Sequence, residues 1–370
     1  MRLLIPGPVS THPAVRAAAA QDYAPWDHDF RALVERVRER VLRLAGGRAG
    51  EHVALLLQGC GHFALEAACR TFVPVGGRIL LPKTGQYADR LERLATEIGL
   101  VVVTLPTADD RAVDPADVAS ALAADATISH VALVYSETST GMVHDVPALA
   151  AAAGSLGRRV IVDAVSAFGA MPFDFSGLPM VDAVVFTTNK CLEGLPGASV
   201  TVARTDRLDA CRGQARSWSL DLADINDHYR RAPGAFRFTP AAGVIAAFEV
   251  ALDLFEAEGG QAARLARYTD NKATLIGGVQ ALGLQPYLPR DAQGPIVVNV
   301  HAPADPAWDL QRFVDGLKRR EVMISNFFNT PAPSFRVGCI GAITPADMRS
   351  AVDAMGDVLS EMVVRDRSAA

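Results

Sequence analysis

Residues 181–197 read VDAVVFTTNKCLEGLPG and mark the end of a predicted buried strand. The apolar, largely β-branched run stops at Thr187, and the glycine and proline residues at 194–197 predict a loop. Lys190 stands between the two, although lysine is among the residues least often buried without a partner. If Lys190 is desolvated there, its amine pKa falls, which suits covalent chemistry with a carbonyl compound. The alternative is a strand-end lysine that reaches into water.

The composition excludes several classes of protein. The chain has 370 residues, of which 50% are hydrophobic and 21% charged, and its formal net charge is −5. This length predicts two domains. Without a basic run or a bilayer-length apolar stretch, neither nucleic acid nor membrane is expected as a partner. Five cysteines without a CxxC pair predict no disulfide framework and no metal site, and prolines and glycine at 6–8 interrupt any signal peptide, so a cytoplasmic protein is expected.

Predicted strands and helices alternate through the first part of the chain, which indicates an α/β fold with a largely parallel sheet flanked by helices. Residues 199–203 follow the preceding strand through a loop too short for a crossover helix. We therefore expect this strand to be antiparallel and to lie at an edge of the sheet. The predicted strands are 52–57, 78–81, 101–105, 131–135, 159–163 and 181–187, and the predicted helices are 30–44, 63–72, 86–98, 115–124 and 146–155.

The last part of the chain predicts a smaller α+β domain. A long helical stretch runs from residue 244 to 282 and is followed by a mixture of strands and helices. We place the large domain, with an N-terminal arm, at residues 1–250 and the small domain at 251–370. The later strands are expected at 296–300, 322–325 and 335–338, and the later helices at 308–320 and 345–363.

Ligands in open α/β sheets lie beyond the carboxyl ends of the strands, and the turn Gly59-Cys60-Gly61 is one candidate site there. A glycine turn before a helix offers backbone N–H groups to a phosphate, while a plain tight turn is the alternative. The turn also matches a loose dinucleotide fingerprint. That motif needs an acid at the end of the next strand, where this chain has Lys83, so a single phosphate fits better.

Three further strand ends carry polar residues. Asp163 ends the predicted strand 159–163 and is either a turn cap or the carboxylate that keeps a pyridine nitrogen protonated. Tyr87 opens a predicted helix and either stacks on a flat cofactor or belongs to the core. The hydroxyls at 138–140 bind a ligand or serve only their own turn.

Arg336 lies inside an apolar predicted strand of the second domain and must therefore meet an anion there. A structural salt bridge is one interpretation. The other is a substrate carboxylate or phosphonate gripped by the planar guanidinium.

The order of these features resembles the class V, fold-type I aminotransferases, which use pyridoxal 5′-phosphate. The resemblance runs almost end to end, from PGP at residues 6–8 to FRVGCIG at 335–341. Several strings are similar, more specifically, to the 2-aminoethylphosphonate–pyruvate transaminases. These are PWD at 25–27, LLQG at 56–59, SETSTGM at 136–142, NKC at 189–191, RSWSLDL at 216–222 and RFTP at 237–240.

The resemblance implies a role for each candidate residue. Lys190 would carry the cofactor and move a proton between substrate and cofactor, and Asp163 would pair with the ring nitrogen. Arg336 would bind the anionic end of the substrate. The remaining assignments are Cys60, Gly61 and His62 at the cofactor phosphate, Tyr87 stacked on the ring, Thr140 near its 3′-oxygen, Val165 beside the cofactor, and Thr239 at the phosphate of a second subunit.

The chain departs from the family pattern at three places. Cys60 and His62 stand where the family usually has hydroxyls, and residues 241–243 read AAG where a histidine is common. The segment 325–330, SNFFNT, is also unlike the usual loop. These departures lie near the substrate end.

The resemblance implies a homodimer with its active site at the interface. It would transfer the amino group of 2-aminoethylphosphonate to pyruvate, which yields phosphonoacetaldehyde and alanine. An alanine–glyoxylate or serine–pyruvate type aminotransferase on the same fold is the alternative. Two other classes are a nucleotide-binding protein that uses the Gly59 turn and a lyase such as a desulfurase, for which Cys339 is the candidate. Arg16, Arg216 and His62 are further candidates to meet the substrate anion.

Overall fold

The structure, a computed structural model, describes residues 1–108 and 110–370. Its helices are α1 Pro13–Ala19, α2 His28–Leu44, α3 Gly61–Phe72, α4 Gln86–Glu97, α5 Pro115–Ala124, α6 Val146–Ser155, α7 Thr205–Ala210, α8 Leu222–Arg231, α9 Ala242–Glu258, α10 Gly260–Ala281, α11 Leu310–Arg319 and α12 Pro345–Glu361. Its strands are β1 Arg2–Leu3, β2 His52–Gln58, β3 Arg78–Lys83, β4 Val101–Pro106, β5 Ile128–Val134, β6 Ser136–Glu137, β7 Met142–Val143, β8 Arg159–Asp163, β9 Val181–Thr187, β10 Ala198–Arg204, β11 Val297–His301, β12 Val322–Met323 and β13 Ser334–Gly338.

The main sheet has seven strands in the order β2-β10-β9-β8-β5-β3-β4. All of them except β10 run in the same direction, which confirms the predicted α/β fold with a mostly parallel sheet. The prediction that β10 is antiparallel is also confirmed, but its expected place at an edge is wrong. It pairs with β9 on one side and with β2 on the other, and its residues from Ala198 to Ala203 are all buried, as an interior position requires.

The direction of these strands brings several loops to one edge of the sheet. Strands β8 and β9 pair in parallel with Asp163 opposite Val185, so the residues that follow them are neighbours. Helix α3 begins directly after β2 and helix α4 directly after β3, while the hairpin β6–β7 follows β5. Parallel order alone therefore gathers the predicted site residues of the large sheet at its carboxyl edge.

Two apolar clusters divide the interior. The first extends from Val15 to Phe255 and packs helices against both faces of the main sheet. The second is built on helices α10, α11 and α12 around the antiparallel pair β11–β13, and it includes Leu4 from the N-terminal arm. The division of the chain between residues 250 and 251 stays a prediction. No helix among the described residues is long and apolar enough to cross a bilayer.

Candidate functional site

Lys190 lies just beyond the carboxyl end of β9 and is 9% exposed. The N-terminal arm covers it, because a Cβ built on Gly7 would lie 2.5 Å from Cδ of Lys190 and 2.9 Å from its Nζ. Burial lowers the pKa of Lys190, the neighbouring guanidinium of Arg336 lowers it further, and Tyr87 and Asp163 only partly oppose this. The lysine is therefore desolvated rather than reaching into water, and more of its amine is neutral near pH 7 than in an exposed lysine.

Asp163 is buried at the end of β8, on the strand next to the one that leads to Lys190. Its Oδ1 accepts a hydrogen bond from the N–H of Val165 at 2.9 Å. Burial raises the pKa of Asp163 to about 6, the nearby Glu137 adds to this, and Lys190 opposes it. Among the described residues Asp163 has no ion-pair partner. A bound cationic group would supply the counter-ion that this carboxylate lacks.

The turn predicted to hold a phosphate forms the start of α3. Cys60 is the N-cap, so Gly61 and His62 lie in the first helical turn with their backbone N–H groups at the positive end of the helix. A Cβ on Gly61 would lie 2.5 Å from Cγ2 of Val165, so only glycine allows this close approach to the turn after Asp163. Burial lowers the pKa of His62, and Arg90 adds to the effect.

Tyr87 stands in the first turn of α4 and is tied to the loop after β5. Its N–H donates to the carboxylate of Glu137, with donor–acceptor distances of 3.3 and 3.4 Å, and its hydroxyl lies close to Thr138 and Arg336. Burial acts to raise the pKa of Tyr87, but Lys190, Thr138 and Arg336 outweigh it and the pKa is lowered. The hydroxyl thus lies at the substrate end, and the stacking of the ring on a cofactor stays a prediction.

Thr140 is buried in the hairpin loop between β6 and β7. Its hydroxyl donates to the carbonyl of Glu137 at 3.5 Å and accepts from the N–H of Met142 at 3.4 Å. Both bonds belong to its own turn, which is the alternative that the sequence left open. A contact between Thr140 and the cofactor therefore stays a prediction.

Arg336 reaches the site from β13 and is 4% exposed. Its Nε donates to Oγ of Ser325 at 3.1 Å, and its Nη1 donates to the carbonyl of Thr138 at 2.9 Å. Among the described residues it has no salt bridge to a carboxylate. Burial lowers the pKa of Arg336, because a desolvated cation without a counter-ion is destabilised. These contacts fit an anion-binding arginine better than a structural ion pair.

The divergent segment 325–330 encloses Arg336. The ring of Phe327 lies over the guanidinium, with 4.7 Å between its centroid and Cζ. When the amide of Asn329 is oriented to suit its neighbours, its Oδ1 accepts from Nη1 of Arg336 at 2.9 Å and its nitrogen donates to Oε1 of Gln86 at 3.0 Å. Ser325, Thr138 and Asn329 thus engage Nε and Nη1 of the guanidinium, and Tyr87 lies close to it. The sequence marks this segment as divergent but does not predict its contacts with Arg336.

Thr239 is not gathered with the other residues in this chain. It lies between α8 and α9, in an exposed stretch that lines a surface cavity of about 200 Å³. Trp218 and Phe238 flank it with their rings at 5.0 Å, edge to face, and they are 71% and 45% exposed. The cavity is also bounded by Leu56 and Gln58 at the end of β2.

Two residues of the site were missed by sequence reasoning. Glu137 is fully buried, bonds to Ser139 as well as to the N–H of Tyr87, and so joins α4 to the hydroxyl loop. Burial raises its pKa. The second is Gly7, which the sequence indicates only as part of the N-terminal arm. The signal that could have found it is the pair of prolines around it, which fixes the course of the arm.

The residues of this edge fit pyridoxal 5′-phosphate. A buried lysine, a buried carboxylate without a cation on the neighbouring strand, and the free N–H groups of α3 match an aldehyde, a ring nitrogen and a phosphate, respectively. A desulfurase-type cysteine does not fit, because burial raises the pKa of Cys339 to about 12 and keeps the thiol unreactive. Across residues 1–108 and 110–370, no three His, Cys, Asp or Glu side chains are grouped to hold a metal ion.

The sequence matches proteins of known families over nearly its whole length. A family model described as aminotransferase class-V matches residues 15–325. The chain is 42% identical to the 2-aminoethylphosphonate–pyruvate transaminase of Burkholderia ambifaria (strain MC40-6) over 360 residues, which cover 97% of this chain and 96% of the relative. It is 40% identical to the protein of the same name from Pseudomonas entomophila (strain L48), with 98% of each chain covered.

Solved structures show the same fold. A Thermus thermophilus aspartate aminotransferase of subgroup IV superposes with a TM-score of 0.85 at 26% identity, covering 98% of this chain and 100% of that one. A Mesorhizobium loti pyridoxamine–pyruvate aminotransferase superposes with a TM-score of 0.88 at 25% identity, covering 99% and 93% of the two chains. These likenesses confirm the predicted fold-type I architecture.

Proposed function

The chain belongs to the class-V aminotransferases, and on that premise we propose that it transfers the amino group of 2-aminoethylphosphonate to pyruvate with pyridoxal 5′-phosphate as cofactor. The observation that carries this proposal is the similarity to transaminases of that name over nearly the full length of the chain, combined with a buried arginine beside the buried lysine. The donor would leave as phosphonoacetaldehyde, and pyruvate would leave as alanine.

Three side chains would divide the chemical work. When bound, the cofactor supplies a ring that withdraws electrons from the substrate carbon next to nitrogen. Lys190, whose pKa is lowered by burial, would accept the proton from that carbon on its Nζ and pass it to the cofactor. Asp163 would pair with the ring nitrogen as a carboxylate and would keep that nitrogen protonated. Without a cationic partner its pKa is raised to about 6, and this pKa would fall when a cation completes the pair.

Arg336 would bind the anionic end of both substrates in turn. The guanidinium would donate to a phosphonate or a carboxylate, while Ser325 and Thr138 hold Nε and Nη1 in place. The phosphate of the cofactor would rest on the N–H groups at Cys60, Gly61 and His62. The other proposed cofactor contacts are Tyr87, Thr140 and Val165 within the chain and Thr239 from a second subunit.

We further propose that the protein is a cytoplasmic homodimer whose site lies at the interface. The exposed aromatic residues around Thr239 support an interface there, since patches of this kind mark association surfaces. The large domain would comprise residues 1–250 and the small domain residues 251–370.

An alanine–glyoxylate or serine–pyruvate type activity is the second candidate. It is favoured by the segment 325–330 and by Cys60 and His62, which differ from the pattern of the phosphonate enzymes near the substrate. An arginine binds a carboxylate as readily as a phosphonate, so the presence of Arg336 does not distinguish between the two candidate activities.

Product analysis separates the two candidates. Purified protein loaded with pyridoxal phosphate is incubated with pyruvate and either 2-aminoethylphosphonate or serine, and phosphonoacetaldehyde, hydroxypyruvate and alanine are quantified. We expect alanine to form with the phosphonate, no product with Lys190→Ala, and about a hundredfold lower kcat/KM with Arg336→Lys, since one ammonium cannot replace a guanidinium held at two nitrogens. Turnover of serine alone would assign the second candidate, and full activity of Lys190→Ala would contradict the mechanism.

A further inference from the structure

The turn that carries Lys190 is held from behind by buried charged residues. Glu193 closes this turn, because its N–H donates to the carbonyl of Lys190 at 2.9 Å. Its carboxylate is almost fully buried and accepts from the hydroxyl of Tyr268 at 2.7 Å and from Nη2 of Arg267 at 2.8 Å. The backbone of Glu193 has a φ of 56°, a value that side chains rarely adopt. A glutamate thus occupies a backbone conformation that favours glycine. This indicates that the contacts of its carboxylate offset the conformational cost of the backbone.

A second carboxylate completes the cluster. Glu258, at the end of α9, accepts from Nε of Arg264 and from Nε of Arg267, both at 2.7 Å. Arg264 is 1% exposed and donates its Nη1 to the carbonyl of Cys191, the residue after Lys190. Two carboxylates and two guanidiniums thus balance in charge inside the protein. Because desolvation offsets much of their attraction, such clusters can be retained for the positions that they fix.

The same side chains also hold the chain just after Arg336. Arg267 donates from Nη1 to the carbonyls of Gly341 and Ile343, the latter at 3.0 Å. The N–H of Gly341 donates to the hydroxyl of Tyr268 at 3.3 Å. Strand β13, which carries Arg336, ends at Gly338, so these bonds fix the segment that follows it.

The side chain of Lys190 is also linked to the end of β13, through the N-terminal arm. The N–H of Gly338 donates to the carbonyl of Leu4 at 2.8 Å, and this arm continues to Gly7, which lies against the lysine side chain. Lys190 therefore lies between two contacts, one on its backbone and one on its side chain. Both lead to the strand that carries Arg336.

We propose that Glu193 and Tyr268 are positioning residues that fix the separation between the amine of Lys190 and the guanidinium of Arg336. That separation sets the length of substrate that can place its amino carbon at the lysine while its anion rests on the arginine. Glu193 and Tyr268 thereby select substrates with a two-carbon spacing between nitrogen and phosphorus. This inference rests on the roles of Lys190 and Arg336 in the proposed function.

Two variants and a matched control test the proposal. Tyr268→Phe removes the hydroxyl and keeps the ring, and Glu193→Gln keeps an acceptor for Tyr268 while it removes the charge. Tyr135→Phe is the control, because Tyr135 is also a buried tyrosine whose hydroxyl donates to a backbone carbonyl, that of Pro172 at 2.6 Å. For each holoenzyme we measure the thermal midpoint, kcat and KM for 2-aminoethylphosphonate, and the ratio of kcat/KM between this donor and 3-aminopropylphosphonate. The pH midpoint of the visible absorption band is a readout independent of turnover.

We expect all three variants to lower the thermal midpoint, because each tyrosine variant loses a buried hydrogen bond and Glu193→Gln removes a buried charge that pairs with Arg267. Only the two cluster variants should lower kcat by about tenfold or more while KM changes by about threefold or less, and only they should reduce the preference for the shorter donor. They should also move the pH midpoint of the visible band away from that of the control.

The proposal is overturned if Tyr268→Phe and Glu193→Gln match Tyr135→Phe in kcat, in donor preference and in the pH midpoint. Should either variant fail to fold, Glu193→Gly relieves the positive φ while it removes the carboxylate. Full activity and unchanged donor preference in that variant would overturn the proposal equally. A wild-type protein that binds pyridoxal phosphate but turns over only serine would instead contradict the proposed function.

Discussion

The buried carboxyl of Asp163 lowers the folding stability of the apoprotein, although the proposed function requires it. Burial raises the pKa of this carboxyl from 3.8 to about 6 when no cation is bound beside it, so the folded apoprotein holds this proton more tightly than the unfolded chain. The carboxyl thus lowers the stability of the apoprotein as pH rises from about 4 to about 6, and the penalty persists above that range. A site built for a cationic ring is expected to carry such a cost.

Asp163→Asn should remove this penalty, since an amide oxygen can still accept from the N–H of Val165. We predict that the apo variant is more stable than wild type above about pH 6, by up to about 3 kcal/mol, and equal to it below about pH 4. Its affinity for pyridoxal phosphate should fall, because an amide does not stabilise a protonated ring nitrogen. Denaturant unfolding at several pH values and cofactor titration measure both effects. Equal apo stability at pH 8 would refute the account of Asp163.

The sequence predicts the site residues whose place follows from strand direction. Asp163 and Lys190 follow neighbouring parallel strands, so chain order and the apolar runs are enough to bring them together. Glu137 was missed because a buried carboxylate that joins two loops leaves no periodic pattern in the sequence. The fine orientation of Tyr87 could not be predicted either, since its hydroxyl depends on Thr138 and on Arg336, which is distant in the sequence.

At the scale of elements, the segment 325–330 acts as a cover for Arg336, and Phe327→Ala tests it. Removal of the ring exposes the guanidinium to water and removes a cation–π contact. We expect KM for the anionic substrate to rise by about threefold to thirtyfold while cofactor binding is unchanged. Phe328→Ala is the matched control, because Phe328 is exposed to a similar extent, 46% against 48%. An equal change of KM in both variants would argue against this role of Phe327.

The N-terminal arm is the second element whose contact can be tested, by Gly7→Ala. Gly7 has a φ of 138°, and its added Cβ would collide with the side chain of Lys190. Gly76→Ala introduces a side chain at another positive φ, 70°, with nothing within 4 Å of the new Cβ. Steady-state kinetics should show kcat lowered by about tenfold or more in Gly7→Ala only, because the displaced arm or lysine misaligns the amine. A similar kcat in both variants would show that the arm does not constrain Lys190.

At the scale of elements, sequence patterns predict the direction of a strand but not its distant pairing partners. The antiparallel direction of β10 follows from the short loop before it, but its interior position depends on its pairing with β2, about 140 residues earlier in the chain. Local patterns do not encode such distant partners. The contacts of segment 325–330 are inaccessible to sequence reasoning for the same reason, since Asn329 meets Gln86, which is more than 200 residues earlier in the chain.

At the scale of the whole molecule, the exposed aromatic residues near Thr239 predict association. We expect Phe238→Asp to shift the protein from dimer to monomer and to weaken cofactor binding, because a buried charge opposes the interface and Thr239 then leaves the partner's site. Val75→Asp, at another exposed apolar residue, is the control. Light scattering after size exclusion gives the mass, and absorbance gives the bound cofactor. A dimer that persists with full cofactor content would place the interface elsewhere.

The most direct test of the central claim is the absorption spectrum of the purified protein with pyridoxal phosphate, before and after separate additions of 2-aminoethylphosphonate, alanine and serine. A buried lysine that holds the cofactor predicts a visible band, and the proposed function predicts that this band bleaches fastest with the phosphonate. Bleaching with alanine or serine but not with the phosphonate would retain the cofactor and reject the proposed substrate. A protein that stays colourless after addition of pyridoxal phosphate would contradict the account of the site as a whole.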